Sequence, residues 1–241
     1  MIRLQRKGVS AMLFREEDED LEVLPFLDRA SAGSVLAGRL SAFSGRDDVM
    51  VLGLTRGGVP VAFEVAAALA APLDVCVVSK VGTPWNHELA MGAVAEGGVE
   101  LIDLSLVREL CLSEETVRDA TRFAQKELES GQASYRGGHS PLDVAGKTVI
   151  LVDDGIATGC SILAATAAIR WRKAARVVVA VPVAPAFGSS AVMMEADEFI
   201  AAAQPDLLVS VSEWYQDFSQ VSDEDVQRLL ERNIASLSSA A

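Results

Sequence analysis

Histidine, cysteine and aromatic side chains are scarce in these 241 residues, and basic charge is outnumbered by acidic. The two histidines, His87 and His139, offer few bases. The segment Gly53-x-Thr55-x-Gly57 mimics a hydrolase nucleophile elbow, but it has Thr for Ser and no well-placed imidazole, so that reading is set aside. His87-Glu88 is no zinc motif, because Met91 stands where the second histidine belongs. The three cysteines, Cys76, Cys111 and Cys160, are odd in number and lack metal-ligand spacing, which predicts free thiols in a reducing, cytoplasmic compartment. With 21 Lys+Arg against 34 Asp+Glu, the net charge is −13. So acidic a surface excludes broad nucleic-acid binding, yet backbone amides or a bridging cation can still hold a phosphate locally. The longest apolar stretch, Val177 to Phe187, carries Pro182 and Pro185 and is too short to span a bilayer. Residues Met1 to Ser10 lack the apolar core and cleavage site of a signal peptide, so neither membrane nor secretion is expected. No strand is followed by a G-x-G-x-x-G turn, which removes the main argument for a dinucleotide oxidoreductase. No internal repeat or Pro/Ser-rich linker divides the chain.

What is present is a core. Half the residues are apolar and mean hydropathy is +0.28, enough for one substantial globular domain. The acidic run Glu16 to Asp20 reads as a solvated face or loop. Small and apolar residues at helical spacing predict a helix over Phe26 to Phe43. From Val49 onward strands and helices alternate. Strands are predicted at Val49–Leu54, Leu73–Ser79, Lys147–Asp153, Arg176–Val183 and Leu207–Val211. Helices are predicted over Val59–Ala70, from the Ser113 cap to about Ser134, and over Ser161–Lys173 and Asp223–Ala235. Gly82 to Gly98 reads as a long loop with room for a short hairpin. This order predicts an α/β fold, a mostly parallel doubly wound sheet whose ligands sit beyond the carboxyl ends of the strands. Residues 45–211 would form the core sheet, and 1–44 with 212–241 a small hood of terminal segments.

The most informative stretch is Val149-Ile-Leu-Val-Asp153-Asp154-Gly155-Ile156-Ala157-Thr158-Gly159-Cys160-Ser161. A buried strand delivers two carboxylates to its end, and a turn of Gly and small residues leads into a helix. Successive amides from Ile156 to Ser161 can form an anion nest at the helix N-terminus. Two carboxylates would repel that anion, so vicinal sugar hydroxyls, bound directly or through a divalent cation, suit Asp153 and Asp154 better. The plainer alternative is a crossover whose aspartates cap the helix.

This segment resembles the phosphoribosyl-pyrophosphate signature of type I phosphoribosyltransferases. The pieces LGLTRGG, VSKVGTPWNHELAMGAVAEGG, VILVDDGIATG and WYQDF…DEDV are similar to a bacterial, largely uncharacterised branch of that family, over most of residues 26–230. Gly155 departs from the pattern by standing where an aliphatic residue is usual. The resemblance implies a Mg²⁺-dependent transfer of the 5-phosphoribosyl group from phosphoribosyl pyrophosphate to a nucleobase or other nitrogen acceptor. Asp153, Asp154, Lys80 and Arg56 would carry the chemistry, with Mg²⁺ held indirectly by the two aspartates. Thr55, Gly57 and Gly58 would form the pyrophosphate loop, in a family where that turn often adopts an unusual peptide conformation. Gly155, Ile156, Ala157, Thr158, Gly159, Cys160 and Ser161 would hold the 5′-phosphate, and Trp214 and Tyr215 would stack on the base. The loop with Trp85 to Glu88 corresponds to a catalytic flap. A homo-oligomer is left open. The alternative is a catalytically weak regulatory protein that binds phosphoribosyl pyrophosphate or a nucleotide.

Overall fold

The computed structural model describes residues 25–135, 140–157, 159–186 and 190–240; the acidic run at 16–20, His139 and Thr158 lie outside these. Helix α1 (Arg29–Arg39) begins later than the hydrophobic spacing suggested, because Asp28 and Ser31 close a reciprocal cap. The Asp28 carboxylate accepts the Ser31 N–H at 2.7 Å, and the Ser31 hydroxyl accepts the Asp28 N–H at 3.0 Å. Strand β1 (Val49–Leu54) is buried throughout and leads into α2 (Gly58–Leu69), which ends at Ala70 in the left-handed region. The strand expected over 73–79 is two strands, β2 (Leu73–Cys76) and β3 (Val78–Thr83), and they belong to different sheets. The expected long loop over 82–98 is likewise mostly strand. Strand β4 (Asn86–Ala95) pairs antiparallel with β3 and with β5 (Val99–Ile102). A Gly- and Ala-rich composition lacks the β-branched signature of strands, so a locally paired sheet was disguised as a loop.

Two helices follow, α3 (Leu104–Glu109) and α4 (Glu114–Tyr135), the latter starting at the predicted Ser113 cap, whose hydroxyl accepts the Thr116 N–H. Then come β6 (Thr148–Val152), α5 (Cys160–Trp171), β7 (Arg176–Val183), α6 (Ser190–Glu195), β8 (Glu198–Ala203) and α7 (Asp223–Ala240). The fifth strand of the main sheet is therefore β8, not Leu207–Val211. Leu207 and Val209 are exposed, and Val211 opens a short 3-10 turn ending at Trp214. The half-buried edge sequence EFIAAA is a weak strand signal, which explains the misplacement.

The main sheet is all parallel, in the spatial order β2-β1-β6-β7-β8. Side chains alternate between its two faces. Val49, Val51, Ile150, Val152, Val178 and Ala180 join α1, α2, α4 and α7, whereas Met50, Leu52, Val149, Leu151, Val177 and Val179 join α5. Burial on both faces is why these strands read as unbroken apolar runs. The strand order reverses between β1 and β6, which makes the crevice beyond their carboxyl ends the topological switch point. The terminal segments also meet at that end: Phe26 bridges to Tyr215, with Phe26 N–H donating to Trp214 C=O at 2.8 Å. Among the described residues no helix is long and apolar enough to cross a membrane.

Candidate functional site

Both strands at the switch point end in turns built for close approach. The β1–α2 turn, Thr55-Arg56-Gly57-Gly58, contains a cis peptide between Thr55 and Arg56. It lies against the β6 terminus so closely that a Cβ on Gly57 would sit 2.2 Å from Asp154 Oδ2. No side chain fits there. On the other side, the β6–α5 turn passes through Gly159 at φ +80°, a left-handed conformation that costs other residues about 1–2 kcal/mol.

Between these turns lies a cavity of about 310 Å³. Thr55, Gly57, Lys80, Asp153, Asp154, Gly155, Ile156, Ala157, Gly159, Cys160 and Ser161 all line it, with Leu54, Val78, Ile162 and Val211. Most of the predicted site residues, drawn from three separate stretches, therefore share one crevice. At its base α5 begins, and its first intrahelical bond is Leu163 N–H to Gly159 C=O. The amides of Cys160, Ser161 and Ile162 precede that bond as helix-terminal donors, and all three residues line the cavity. Lys80, itself exposed, stands on β3 of the smaller sheet rather than at the end of a main-sheet strand, and it also lines a larger neighbouring cavity.

Several of the predicted site residues are engaged elsewhere. The Ile156 N–H donates to Val183 C=O at 2.9 Å and its side chain is buried, so it anchors the turn instead of serving an anion. Arg56 faces the neighbouring cavity and pairs with Asp223 at 3.3 Å. Tyr215 is buried between Phe26 and Phe218, with ring centroids 5.7 and 4.9 Å away, so its face is not offered to a base. Its hydroxyl donates to Asp154 C=O at 2.5 Å. Trp214 and Gly58 do not line the cavity either; Gly58 packs against the Val152 carbonyl.

The two aspartates have different surroundings. Asp154 receives Arg29 Nε and Nη2 on Oδ2, both at 2.9 Å. Asp153 accepts the Asp154 N–H at 2.9 Å on Oδ1. Burial, reinforced by the adjacent Asp154 charge, pushes the Asp153 carboxyl well above the ordinary range. Burial also raises Asp154, with Arg29 opposing the rise. Two crowded carboxylates facing one lysine form a site that gains from a further cation or from hydroxyl donors. Arg29 is the residue that sequence reasoning missed; its only signal was a place in a predicted helix, 125 residues before its partner.

The fold and crevice thus define an α/β domain with an acidic pair and helix-terminal donors at its switch point. The sequence model of the phosphoribosyl transferase domain matches residues 30–200, and the chain belongs to that family. Proteins of two Mycobacterium tuberculosis strains (CDC 1551 and H37Rv), each named "putative phosphoribosyl transferase", are 42% identical to it over 207 residues. That alignment covers 86% of this chain and 46% of the relatives, so the chain spans about half the length of the curated relatives it matches. The crystal structure of TT1426 from Thermus thermophilus is similar at 39% identity and a TM-score of 0.72, covering 87% of this chain and 99% of that one.

Proposed function

We propose that this chain binds phosphoribosyl pyrophosphate in the switch-point crevice and transfers its phosphoribosyl group to a nitrogen acceptor, releasing pyrophosphate. The observation that carries this reading is the shared crevice itself: helix-terminal amides, an acid pair and a lysine, arranged around about 310 Å³. In this reading the Cys160, Ser161 and Ile162 amides, with the loop at Ala157 to Gly159, hold the 5′-phosphate. Asp153 accepts hydrogen bonds from the ribose hydroxyls, while Thr55, the Gly57 turn and Lys80 orient the pyrophosphate. As the C1′–O bond breaks, its electron pair leaves with pyrophosphate, and charge grows on oxygens facing Lys80. The acceptor nitrogen then forms the C1′–N bond and gives up a proton. The protein's contribution is positioning and electrostatic stabilisation.

Hard carboxylate oxygens suit Mg²⁺, and among the described residues no cluster of three or more ligating side chains is present. Mg²⁺ typically takes one or two carboxylates and completes its shell with substrate oxygens and water, so Asp153 and Asp154 fit it only together with bound substrate. Mg²⁺ held there would neutralise the departing pyrophosphate charge.

The test is pyrophosphate release from phosphoribosyl pyrophosphate over a panel of nucleobases and amines with Mg²⁺. Activity should vanish in Asp153→Asn/Asp154→Asn while circular dichroism stays unchanged. Retained turnover in that variant overturns the assignment. Binding without release for any acceptor favours a ligand-sensing protein instead.

A further inference from the structure

The two terminal segments converge on one carboxylate. Arg29, at the first position of α1, forks onto Asp154 Oδ2 and donates from Nη1 to Ser219 C=O at 2.7 Å. Its guanidinium lies 3.9 Å from the Phe218 ring centroid. The Arg29 and Asp154 side chains are only 12% and 15% exposed. From the other side, Tyr215 holds the Asp154 main-chain carbonyl at 2.5 Å. Gly57 closes the third direction, its missing Cβ marking a point 2.2 Å from Oδ2. Side chain and main chain of Asp154 are therefore both fixed, and neither Arg29 nor Tyr215 lines the cavity. Arg29 and Tyr215 fall outside the 30–200 span that the family model matches.

We infer that Arg29 is a positioning residue that divides the labour of the acid pair. Held by Arg29, Asp154 sets the geometry of the β6 terminus, and Asp153 is left as the carboxylate that contacts the ligand. The inference rests on the phosphoribosyl pyrophosphate reading of the crevice. A merely structural arginine would lower stability without coupling to ligand through Asp154. A forked guanidinium that fixes a carboxylate couples to that residue specifically, and a lysine can replace its charge but not its fork.

The experiment is calorimetric titration of phosphoribosyl pyrophosphate with Mg²⁺ into wild type, Arg29→Lys, Arg29→Met, Asp154→Asn and Arg29→Met/Asp154→Asn, each checked for fold by circular dichroism. Loss of a charge-assisted hydrogen-bonded partner should weaken binding about 10- to 100-fold in Arg29→Met. Arg29→Lys should recover part of it, and the double variant should bind no worse than the weaker single one, because both changes remove one interaction. Folded Arg29→Met that binds within about twofold of wild type overturns the inference. So does a double variant whose losses multiply, or a folded Arg29→Lys no better than Arg29→Met. A wild type that gives no binding at all overturns the functional reading itself, and the inference with it.

Discussion

Replacing Gly57 with alanine isolates the close approach at the switch point. The residue has φ −60° and ψ −35°, an ordinary right-handed conformation, so the backbone accepts alanine without strain. Reduced freedom of the unfolded chain would by itself stabilise the protein by about 0.4–1 kcal/mol. The added methyl, however, would lie 2.2 Å from Asp154 Oδ2 and 2.9 Å from its Cγ. Asp154 would have to withdraw by about 1 Å to reach ordinary contact. It is pinned by Arg29 and by Tyr215, so withdrawal breaks those contacts. Overpacking of this kind costs about 1–3 kcal/mol, which leaves a net destabilisation of up to about 2.6 kcal/mol, about 1–2 kcal/mol in mid-range. For a chain of this size that is a fall of roughly 2–8 °C in Tm. Gly38, inside α1, has nothing within 4 Å of its missing Cβ and is the control. Gly38→Ala should be neutral or stabilising by up to about 1 kcal/mol. Urea denaturation of the two variants decides the matter. A Gly57→Ala protein as stable as Gly38→Ala would refute the argument that this glycine is kept for space.

The remaining predictions concern the same crevice. Tyr215→Phe removes the donor from a largely buried Asp154 carbonyl and should cost about 1–3 kcal/mol in chemical denaturation; an unchanged midpoint would show that water takes over the role. Gly159→Ala forces a side chain into φ +80°, with its Cβ 2.9 Å from Val192, and should lower stability by at least about 1–2 kcal/mol in thermal unfolding. Asp153 binds its proton more tightly folded than unfolded, because burial and Asp154 raise it. Between the ordinary carboxylate range and that raised value the native state holds more protons, so this group's contribution to stability falls as pH rises. Ligand-free Asp153→Asn should therefore gain on wild type as pH rises above the ordinary carboxylate range, when urea midpoints are compared in chelator. A difference that runs the other way contradicts the assigned burial.

Local pattern was a good guide wherever the chain is buried on both faces. Val49–Leu54 and Arg176–Val183 were predicted with the observed bounds, and α2 and α5 start within one residue of expectation. These elements carry their signal in a continuous apolar run or in helical spacing. The β3–β5 sheet and β8 were lost because alanine and glycine supply their pairing surfaces, and β8 is a half-buried edge. Leu207–Val211 was mistaken for a strand because it is a short apolar run, although Leu207 and Val209 are exposed and Val211 lines the cavity.

The acid pair after a buried strand, the small-residue turn and the basic glycine turn were all written in consecutive residues. Local chemistry repeats itself in local sequence. Which of those groups actually face the cavity depended on partners far along the chain. The Ile156 amide is engaged by Val183, Arg56 by Asp223 and Asp154 by Arg29. A contact spanning 125 residues leaves no periodicity or spacing behind, since it arises only when packing brings the start of α1 to the carboxyl end of β6. That packing made Tyr215 a buried support for Asp154.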